Sequence, residues 1–143
     1  LESTVISLVG APTVLRLGAT PLEALKEILP EISTQISNQQ VDSPGTSKRH
    51  YAPRTPFHIW SNQNLTPEDG VLLFGTPIPD GVDRVWDLGN DPVQAGRRLY
   101  AAMREMDQSR LRNLYVVLPN HDQTKPTDWL AITDRLRRAT QSK

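Results

Sequence analysis

Arg16 is the residue whose type and setting point most directly to binding chemistry. It lies in the apolar run VLRL, residues 14–17, and Gly18 follows directly after that run. A guanidinium held on a rigid strand can bind a phosphate or carboxylate through two parallel hydrogen bonds, and a neighbouring glycine lets a ligand approach the backbone. Ser3 and Thr4 lie on the strand expected to pair with this one, which would bring their hydroxyls close. The alternative is that Arg16 stands at the exposed edge of a sheet.

A second concentration of reactive side chains falls in residues 43–56, SPGTSKRHYAPRTP. Lys48, Arg49, His50 and Tyr51 stand together between prolines, which are poorly tolerated inside helices and paired strands. The surrounding residues 33–56 are rich in serine, glutamine, asparagine and proline, which predicts a linker. Its simplest interpretation is a flexible spacer.

The histidines do not predict a metal site. His50, His58 and His121 are the only three in the chain, and none has a second histidine or a helical glutamate at ligand spacing. The chain has no cysteine, which excludes disulfides, thiolate metal sites and cysteine nucleophiles. His58 is flanked by apolar neighbours and is expected to be a half-exposed strand residue.

The charge pattern argues against a nucleic-acid-binding surface. Sixteen basic and sixteen acidic residues balance, so no general positive field would attract phosphates. Arg135, Arg137 and Arg138 are predicted to lie on the solvated face of a helix, opposite Leu136. We therefore expect no direct nucleic-acid binding. No apolar run approaches the ~20 residues of a membrane span, and we expect a cytoplasmic protein with no membrane partner.

The elements that would position Arg16 form a small unit, residues 1–32. Residues 3–9 and 13–17 are apolar and rich in β-branched side chains, and the GAP sequence between them predicts a hairpin turn. A short helix should follow, with Thr20 as N-cap, Pro21 as first helical residue and Glu23 completing a capping box. Its expected apolar stripe is Leu22, Leu25, Ile28 and Leu29. Two strands and one short helix need a partner to be stable.

Residues 55–143 predict a separate α/β domain, with residues 33–54 as the linker between the two units. The strands are expected in TPFHIW, GVLLFGT, DRVWDLG and RNLYVVLP. A helix capped by Asp91 and a final helix, TDWLAITDRLRRAT, complete a layered domain with a mostly parallel sheet. Trp129, Ile132 and Leu136 should face inward on the final helix. The link SNQNLTPED is too short for a helical crossover, which leaves either an irregular crossover or one antiparallel pair.

The carboxyl ends of these strands carry polar residues where such sheets usually bind ligands. A small-molecule crevice is one interpretation, and a set of turn and cap formers is the one the sequence favours. No G-x-G-x-x-G motif or P-loop follows any strand, so no nucleotide-binding motif supports the crevice. The residues concerned are Gly75, Thr76, Asn90, Asp91, Asn120, His121 and Asp122.

Three stretches together resemble one family, the two-domain threonylcarbamoyl-AMP synthases. ESTVISL…PTVLRLGA is similar to the closing segment of their YrdC-type domain, whose usual form is E-S-T-(V/I)-V-D followed by a strand bearing L-R-P-G. SPG…RHYAPRTP is similar to their interdomain linker, S-P-G-M-x-x-x-H-Y-A-P. AGRRLYAAMREMD and AITDRLRRAT resemble helices of their small Rossmann-like C-terminal domain. This chain departs from the family pattern at Leu17, where proline is usual, and at Thr46, where methionine is usual.

The resemblance implies an activity and a set of site residues. The family joins L-threonine, bicarbonate and ATP into threonylcarbamoyl-AMP and pyrophosphate, for the threonylcarbamoyladenosine modification of tRNA. It implies that Ser3, Thr4 and Arg16 contact the nucleotide and its phosphates, with Mg²⁺ expected alongside ATP. The linker would act as an active-site lid, and the C-terminal domain as its regulator. The lid residues would be Pro44, Gly45, Arg49, His50, Tyr51 and Pro53.

The resemblance also implies partners. The chain looks like the C-terminal part of the enzyme, because it opens in strand-like residues and lacks most of the YrdC-type domain. The activity would then need the lobe that precedes this chain, and the tRNA modification machinery would act downstream. The isolated chain is expected to be inactive. The alternative is a stand-alone α/β interaction or effector-binding module without catalysis.

Overall fold

The computed structural model describes residues 2–34, 52–119 and 127–141. The first range forms a small three-stranded sheet with one helix. Strands β1 (Val5–Ser7) and β2 (Thr13–Arg16) pair antiparallel, and β3 (Ser33–Thr34) pairs parallel to β2. The sheet order is β1-β2-β3. The predicted hairpin is confirmed, and a short third strand extends it.

Helix α1 (Leu22–Ile28) differs from the prediction at its N-terminal end and in its apolar stripe. Pro21, in extended conformation, occupies the N-cap position, and no side chain caps the helix. The predicted capping box of Thr20 and Glu23 is therefore wrong, because the helix begins one residue later than expected. Ile28 is 79% exposed, since a turn of ~100° per residue places it roughly a quarter-turn away from the stripe of Leu22, Leu25 and Leu29.

The second sheet contains four strands that all run parallel. They are β4 (Phe57–Ile59), β5 (Asp69–Leu73), β6 (Arg84–Asp87) and β7 (Asn113–Val116), in the order β4-β7-β5-β6. Strand β7 lies between β4 and β5 and pairs with both. The short link from β4 to β5 is therefore the irregular crossover, and the alternative of an antiparallel pair is wrong.

Two helices cover this sheet as the apolar periodicity predicted. Helix α2 (Pro92–Gln108) is capped by Asp91, whose Oδ1 accepts a hydrogen bond from the Gln94 amide at 2.8 Å. Helix α3 (Thr127–Thr140) buries Ile132 and Leu136 completely. Trp129 packs edge-on against Phe74, with ring centroids 5.5 Å apart. Both helices join one core with the sheet, which confirms the mixed α/β fold with a parallel sheet.

Strand β5 is the centre of this core. All five of its residues are buried. Leu72 belongs to the core on the helix side, while Val71 and Leu73, which alternate with it and so face the other way, are also fully buried. A strand buried on both faces reads as a continuous apolar run, which is how GVLLFG appears in the sequence.

The arginines of α3 correct one prediction. Arg137 and Arg138 are exposed as expected, but Arg135 is only 7% exposed. The reason is that residues 2–34 pack against this side of α3, where Ala131 shares an apolar cluster with Val14 and Leu17. A face that looks solvated in the helix alone is therefore covered by the preceding unit.

Candidate functional site

Residues 2–4 are tied to the segment that follows Arg16 by a series of hydrogen bonds. The Glu2 carbonyl accepts from the Ala19 amide at 3.0 Å. The Ser3 carbonyl accepts from Nε and Nη2 of Arg16 at 3.3 and 3.0 Å. These contacts bring the predicted site residues of the two strands together. Both nitrogens meet one oxygen, which fixes the plane of the guanidinium.

Thr4 is the most firmly held of the predicted site residues. Its Oγ1 accepts from the Gly18 amide at 3.0 Å and donates to the Thr20 carbonyl at 3.3 Å. Its hydroxyl hydrogen is thus directed at the protein backbone, whereas the side chain of Ser3 is exposed. The structure gives Thr4 a role in holding the hairpin, and its contact with a nucleotide stays a prediction.

Gly18 has a different role from the one expected. A Cβ atom at this position would lie 2.2 Å from the Glu2 carbonyl oxygen and 2.4 Å from the Thr4 nitrogen. The space beside Gly18 is therefore filled by the strand of residues 2–4, and not kept open for a ligand. The glycine permits the close approach that the hydrogen bonds from Ala19 and Arg16 require.

Most of the predicted lid lies outside the described residues. This holds for Pro44, Gly45, Arg49, His50 and Tyr51. Pro53 is described and is half-buried beside helix α2. A cleft of about 80 Å³ opens there, and it is lined by Ala52, Pro53, Tyr100, Met103, Arg104 and Asp107.

The chain after the predicted lid is anchored on α2. Oδ1 of Asp107 accepts from both the backbone amide and the hydroxyl of Thr55, each at 2.9 Å. A carboxylate that receives two donors from one residue fixes the backbone there more firmly than a single hydrogen bond would. The end of the linker is therefore attached to the same helix that carries Tyr100.

Glu2 connects the small unit to both helices of the C-terminal domain. Its Oε2 accepts from the Tyr100 hydroxyl at 2.8 Å and lies 3.2 Å from Nε of Arg135. Partial burial alone would raise the pKa of Glu2. The hydrogen bonds from Tyr100 and its own backbone, with the positive charges of Arg135 and Arg16, outweigh that effect and hold the pKa below its ordinary value.

Sequence reasoning missed this junction. Tyr100 is 98 positions away from Glu2, and no local pattern links the two. One signal in the sequence could have indicated the junction, namely Glu2 at the start of the E-S-T motif. Burying a glutamate is costly unless it has a partner, so a glutamate beside apolar strand residues suggests a paired carboxylate.

The strand-end edge of the large sheet contains turns and caps. Oδ1 of Asp87 accepts from the amides of Gly75 and Gly89, each at 2.8 Å, and Asp91 caps α2. These contacts bear out the favoured interpretation for Gly75 and Asp91. The Thr76 hydroxyl is buried there without a hydrogen-bond partner in the described part of the chain. Residues 120–122 lie outside the described ranges.

Asp69 forms a polar cluster at the opposite end of the sheet. It is 4% exposed, and it accepts from the Asn113 side chain and from the amide and hydroxyl of Thr66, all at 2.9 Å. Burial tends to raise the pKa of Asp69, but these hydrogen bonds and the charge of Arg112 leave it below its ordinary value. The cluster holds the start of β5, away from the edge where parallel sheets bind ligands.

Residues 2–34, 52–119 and 127–141 contain neither a candidate metal site nor a helix that could span a membrane. There, no three His, Asp or Glu side chains are grouped so that they could hold a metal ion. In the same ranges, no helix combines the length and apolarity needed to cross a membrane. His58 is half-buried as predicted, and its ring centroid lies 5.6 Å from that of Tyr115.

Comparison with known proteins decides the family. Residues 20–141 match the family described as threonylcarbamoyl-AMP synthase, C-terminal domain. The chain belongs to this family. A curated threonylcarbamoyl-AMP synthase from Pyrococcus abyssi is 31% identical over 160 aligned positions, which cover 98% of this chain and 46% of the relative. The resemblance found in the sequence is thus confirmed.

Solved structures give the same answer for the fold. The crystal structure of Pyrococcus abyssi Sua5 in complex with L-threonine superposes with a TM-score of 0.75 at 26% identity, covering 99% of this chain and 46% of that one. A variant of that protein, with an adjacent histidine and tyrosine replaced by alanine, superposes with a TM-score of 0.74 at 24% identity, covering 99% and 45% of the two chains. The chain spans just under half the length of the relatives it matches. The domain boundaries, between residues 32 and 33 and between residues 54 and 55, stay a prediction.

Proposed function

We propose that this chain is the C-terminal part of an ATP-dependent L-threonylcarbamoyladenylate synthase. The full enzyme would convert L-threonine, bicarbonate and ATP into threonylcarbamoyl-AMP, pyrophosphate and water, for the modification of tRNA in the cytoplasm. The observation that carries the proposal is the joining of the two family motifs: Ser3 and Thr4 of E-S-T are bonded to Arg16 and Gly18 of the LR-x-G strand.

Arg16 is the proposed phosphate-binding residue. Its guanidinium plane is fixed by the Ser3 carbonyl, so little side-chain entropy remains to be lost when a phosphate binds. The exposed Ser3 hydroxyl would add a hydrogen bond to the nucleotide. Mg²⁺ would arrive bound to the ATP phosphates, as it commonly does in phosphate-binding sites.

The remaining part of the nucleotide site is proposed to come from the lobe that precedes residue 1 in the full enzyme. The cleft beside Pro53 has a volume of about 80 Å³ and the one beside Trp86 about 90 Å³. Small-molecule sites usually measure roughly 300–1,000 Å³. A nucleotide therefore needs a larger cavity than these two clefts offer, which supports a site shared with another lobe.

The linker is proposed to act as a lid over that shared site, with the C-terminal domain as its regulator. Support comes from the anchoring of Thr55 on Asp107 and the packing of Pro53 beside α2, which give the lid a fixed end on the domain. Threonylcarbamoyl-AMP is an acyl-adenylate, and such a mixed anhydride hydrolyses readily, so a lid that excludes water would protect it. Pro44 and Gly45 would limit and hinge the movement, and Arg49, His50 and Tyr51 would face the substrates.

The test is ATP binding and pyrophosphate release, measured on this chain joined to its preceding lobe. We expect Arg16→Ala to weaken ATP binding at least tenfold and Tyr51→Ala to lower the rate of pyrophosphate release. Arg112→Ala is the matched control, since Arg112 is 77% exposed and pairs only at the surface with Glu68. If Arg16→Ala and Arg112→Ala bind ATP equally well, the proposed site is wrong. The chain without the lobe should release no pyrophosphate, and release at the rate of the full enzyme would also overturn the proposal.

A further inference from the structure

We propose that Glu2, Tyr100 and Arg135 form an interdomain latch that positions the nucleotide-binding strand, with Glu2 as the positioning residue. The proposal rests on the proposed function in one respect, that the strand of Ser3 and Arg16 binds ATP. The latch is defined by two contacts of a single oxygen, Oε2 of Glu2. It accepts from the Tyr100 hydroxyl at 2.8 Å and lies 3.2 Å from Nε of Arg135.

The first step of the argument is that Glu2 is held on both sides. Its backbone carbonyl accepts from the Ala19 amide at 3.0 Å, in the segment that follows Arg16. Its side chain points to helices α2 and α3 of the C-terminal domain. The position of Ser3, the next residue, is therefore set by both units at once. Because the Ser3 carbonyl holds Arg16, a shift of Glu2 also shifts the guanidinium.

The second step is burial. The side chain of Arg135 is 7% exposed and that of Glu2 22% exposed. A buried guanidinium strongly favours a nearby carboxylate, because taking a charge out of water is costly unless an opposite charge lies close to it. The geometry of this pair is thus held by the surrounding packing of Ala131 with Val14 and Leu17, in contrast to the exposed pair of Arg112 and Glu68.

The third step is the position of Tyr100. Tyr100 lines the cleft beside Ala52 and Pro53, at the end of the proposed lid, while its hydroxyl reaches Glu2. Asp107, two helical turns further along α2, holds Thr55. One side of α2 therefore contacts both the end of the linker and the strand of the nucleotide site. This gives the C-terminal domain a physical path through which the linker and the ATP site can influence each other.

The test uses Tyr100→Phe and Arg135→Lys, which keep most of the packing. Tyr115→Phe and Arg138→Lys are the matched controls, because Tyr115 lies on strand β7 and Arg138 pairs with Asp134 on its own helix. The first readout is amide hydrogen exchange of Gly18 and Ala19, which bond to Thr4 and Glu2. We expect exchange roughly two- to tenfold faster in the latch variants, the range for loss of one hydrogen bond, and no change in the controls. Unchanged exchange in both latch variants would overturn the latch.

The second readout is kinetic and uses the chain joined to its preceding lobe. The latch variants should raise the KM for ATP by a factor similar to that in the exchange experiment, with kcat changed less than twofold, because a displaced binding strand weakens ground-state and transition-state binding alike. A loss of kcat with unchanged KM would contradict a positioning role. Failure of the proposed function and failure of the latch can be told apart. If Arg16→Ala leaves ATP binding intact, the proposed function fails, while the exchange of Gly18 and Ala19 still decides whether the latch exists.

Discussion

The two regions of the molecule differ in how they are stabilised. Residues 52–119 and 127–141 share one large apolar core, in which five side chains of α2 and α3 have no solvent exposure at all. In residues 2–34 the buried apolar side chains are Val14, Leu17 and Ile32, and their cluster includes Ala131 from the other region. Helix α1 buries none of its residues completely. The C-terminal domain therefore has an apolar core of its own, whereas the small unit of residues 2–34 completes its apolar cluster by docking on α3.

This difference bears on function, because the proposed binding residues lie in the less stable region. Local stability follows buried apolar contacts, so a small docked unit opens more readily than a core sheet. Contacts with α3 would therefore help to place Ser3 and Arg16. On the proposed function, the larger domain would support the site, and the phosphate-binding side chain would come from the small unit. The following changes test this comparison.

The largest effect is expected from a change in the main core. Leu136→Ala removes a fully buried side chain of α3 and should lower the free energy of unfolding by about 3 kcal/mol. Because the small unit docks on the same helix, both regions should lose protection together in denaturant unfolding followed by hydrogen exchange. Retained protection of β1 and β2 would show that the small unit is independent of α3.

A change in the docked cluster should act locally. Val14 is 2% exposed, and Val14→Ala removes two methyl groups from it, at a cost of about 2 kcal/mol. We expect faster exchange in residues 2–34 and a nearly unchanged thermal midpoint for the β5 core. If the whole molecule unfolds at lower temperature by the amount seen for Leu136→Ala, the two regions form one cooperative unit.

The junction between the regions should depend on pH. The folded pKa of Glu2 lies below its ordinary value of 4.5, so its contribution is complete above pH 4.5 and is lost as the pH falls through the lower folded value. Glu2→Gln should cost about 1 kcal/mol at pH 7, and the difference from wild type should shrink below pH 4. The test is to measure the thermal midpoints of wild type and Glu2→Gln between pH 3 and 7. Asp69 also has a lowered pKa, but it is present in both proteins, so its effect cancels in the difference. A difference that does not change with pH would contradict it.

The smallest effect is expected at a strongly exposed residue of the small unit. Ile28 is 79% exposed, and Ile28→Ser should change the free energy of unfolding by less than about 0.5 kcal/mol. Val14→Ala measured in the same way is the comparison. A loss above about 1 kcal/mol for Ile28→Ser would mean that this exposed side chain is covered in solution.

Local physics explains why many elements could be predicted. The apolar run of β5, the hairpin around Gly10 and the cap at Asp91 each depend on neighbours within a few positions. The spacing of three and then four residues between Leu99, Ala102 and Met106 likewise predicted the buried side of α2. The family was also readable from sequence, because the E-S-T, LR-x-G and linker motifs are contiguous stretches. Contact of Ser3, Thr4 and Arg16 with ATP stays a prediction.

The sequence by itself determined the types of most elements, a mostly parallel large sheet and the family. Only the tertiary structure decided that β7 lies between β4 and β5, that Arg135 is buried, and that Glu2 meets Tyr100 98 positions away. Helix periodicity tells which residues share a face, but not what covers that face. The small unit of residues 2–34 docks on α3 and buries a polar face of that helix. This burial depends on long-range packing, which no short sequence pattern predicts.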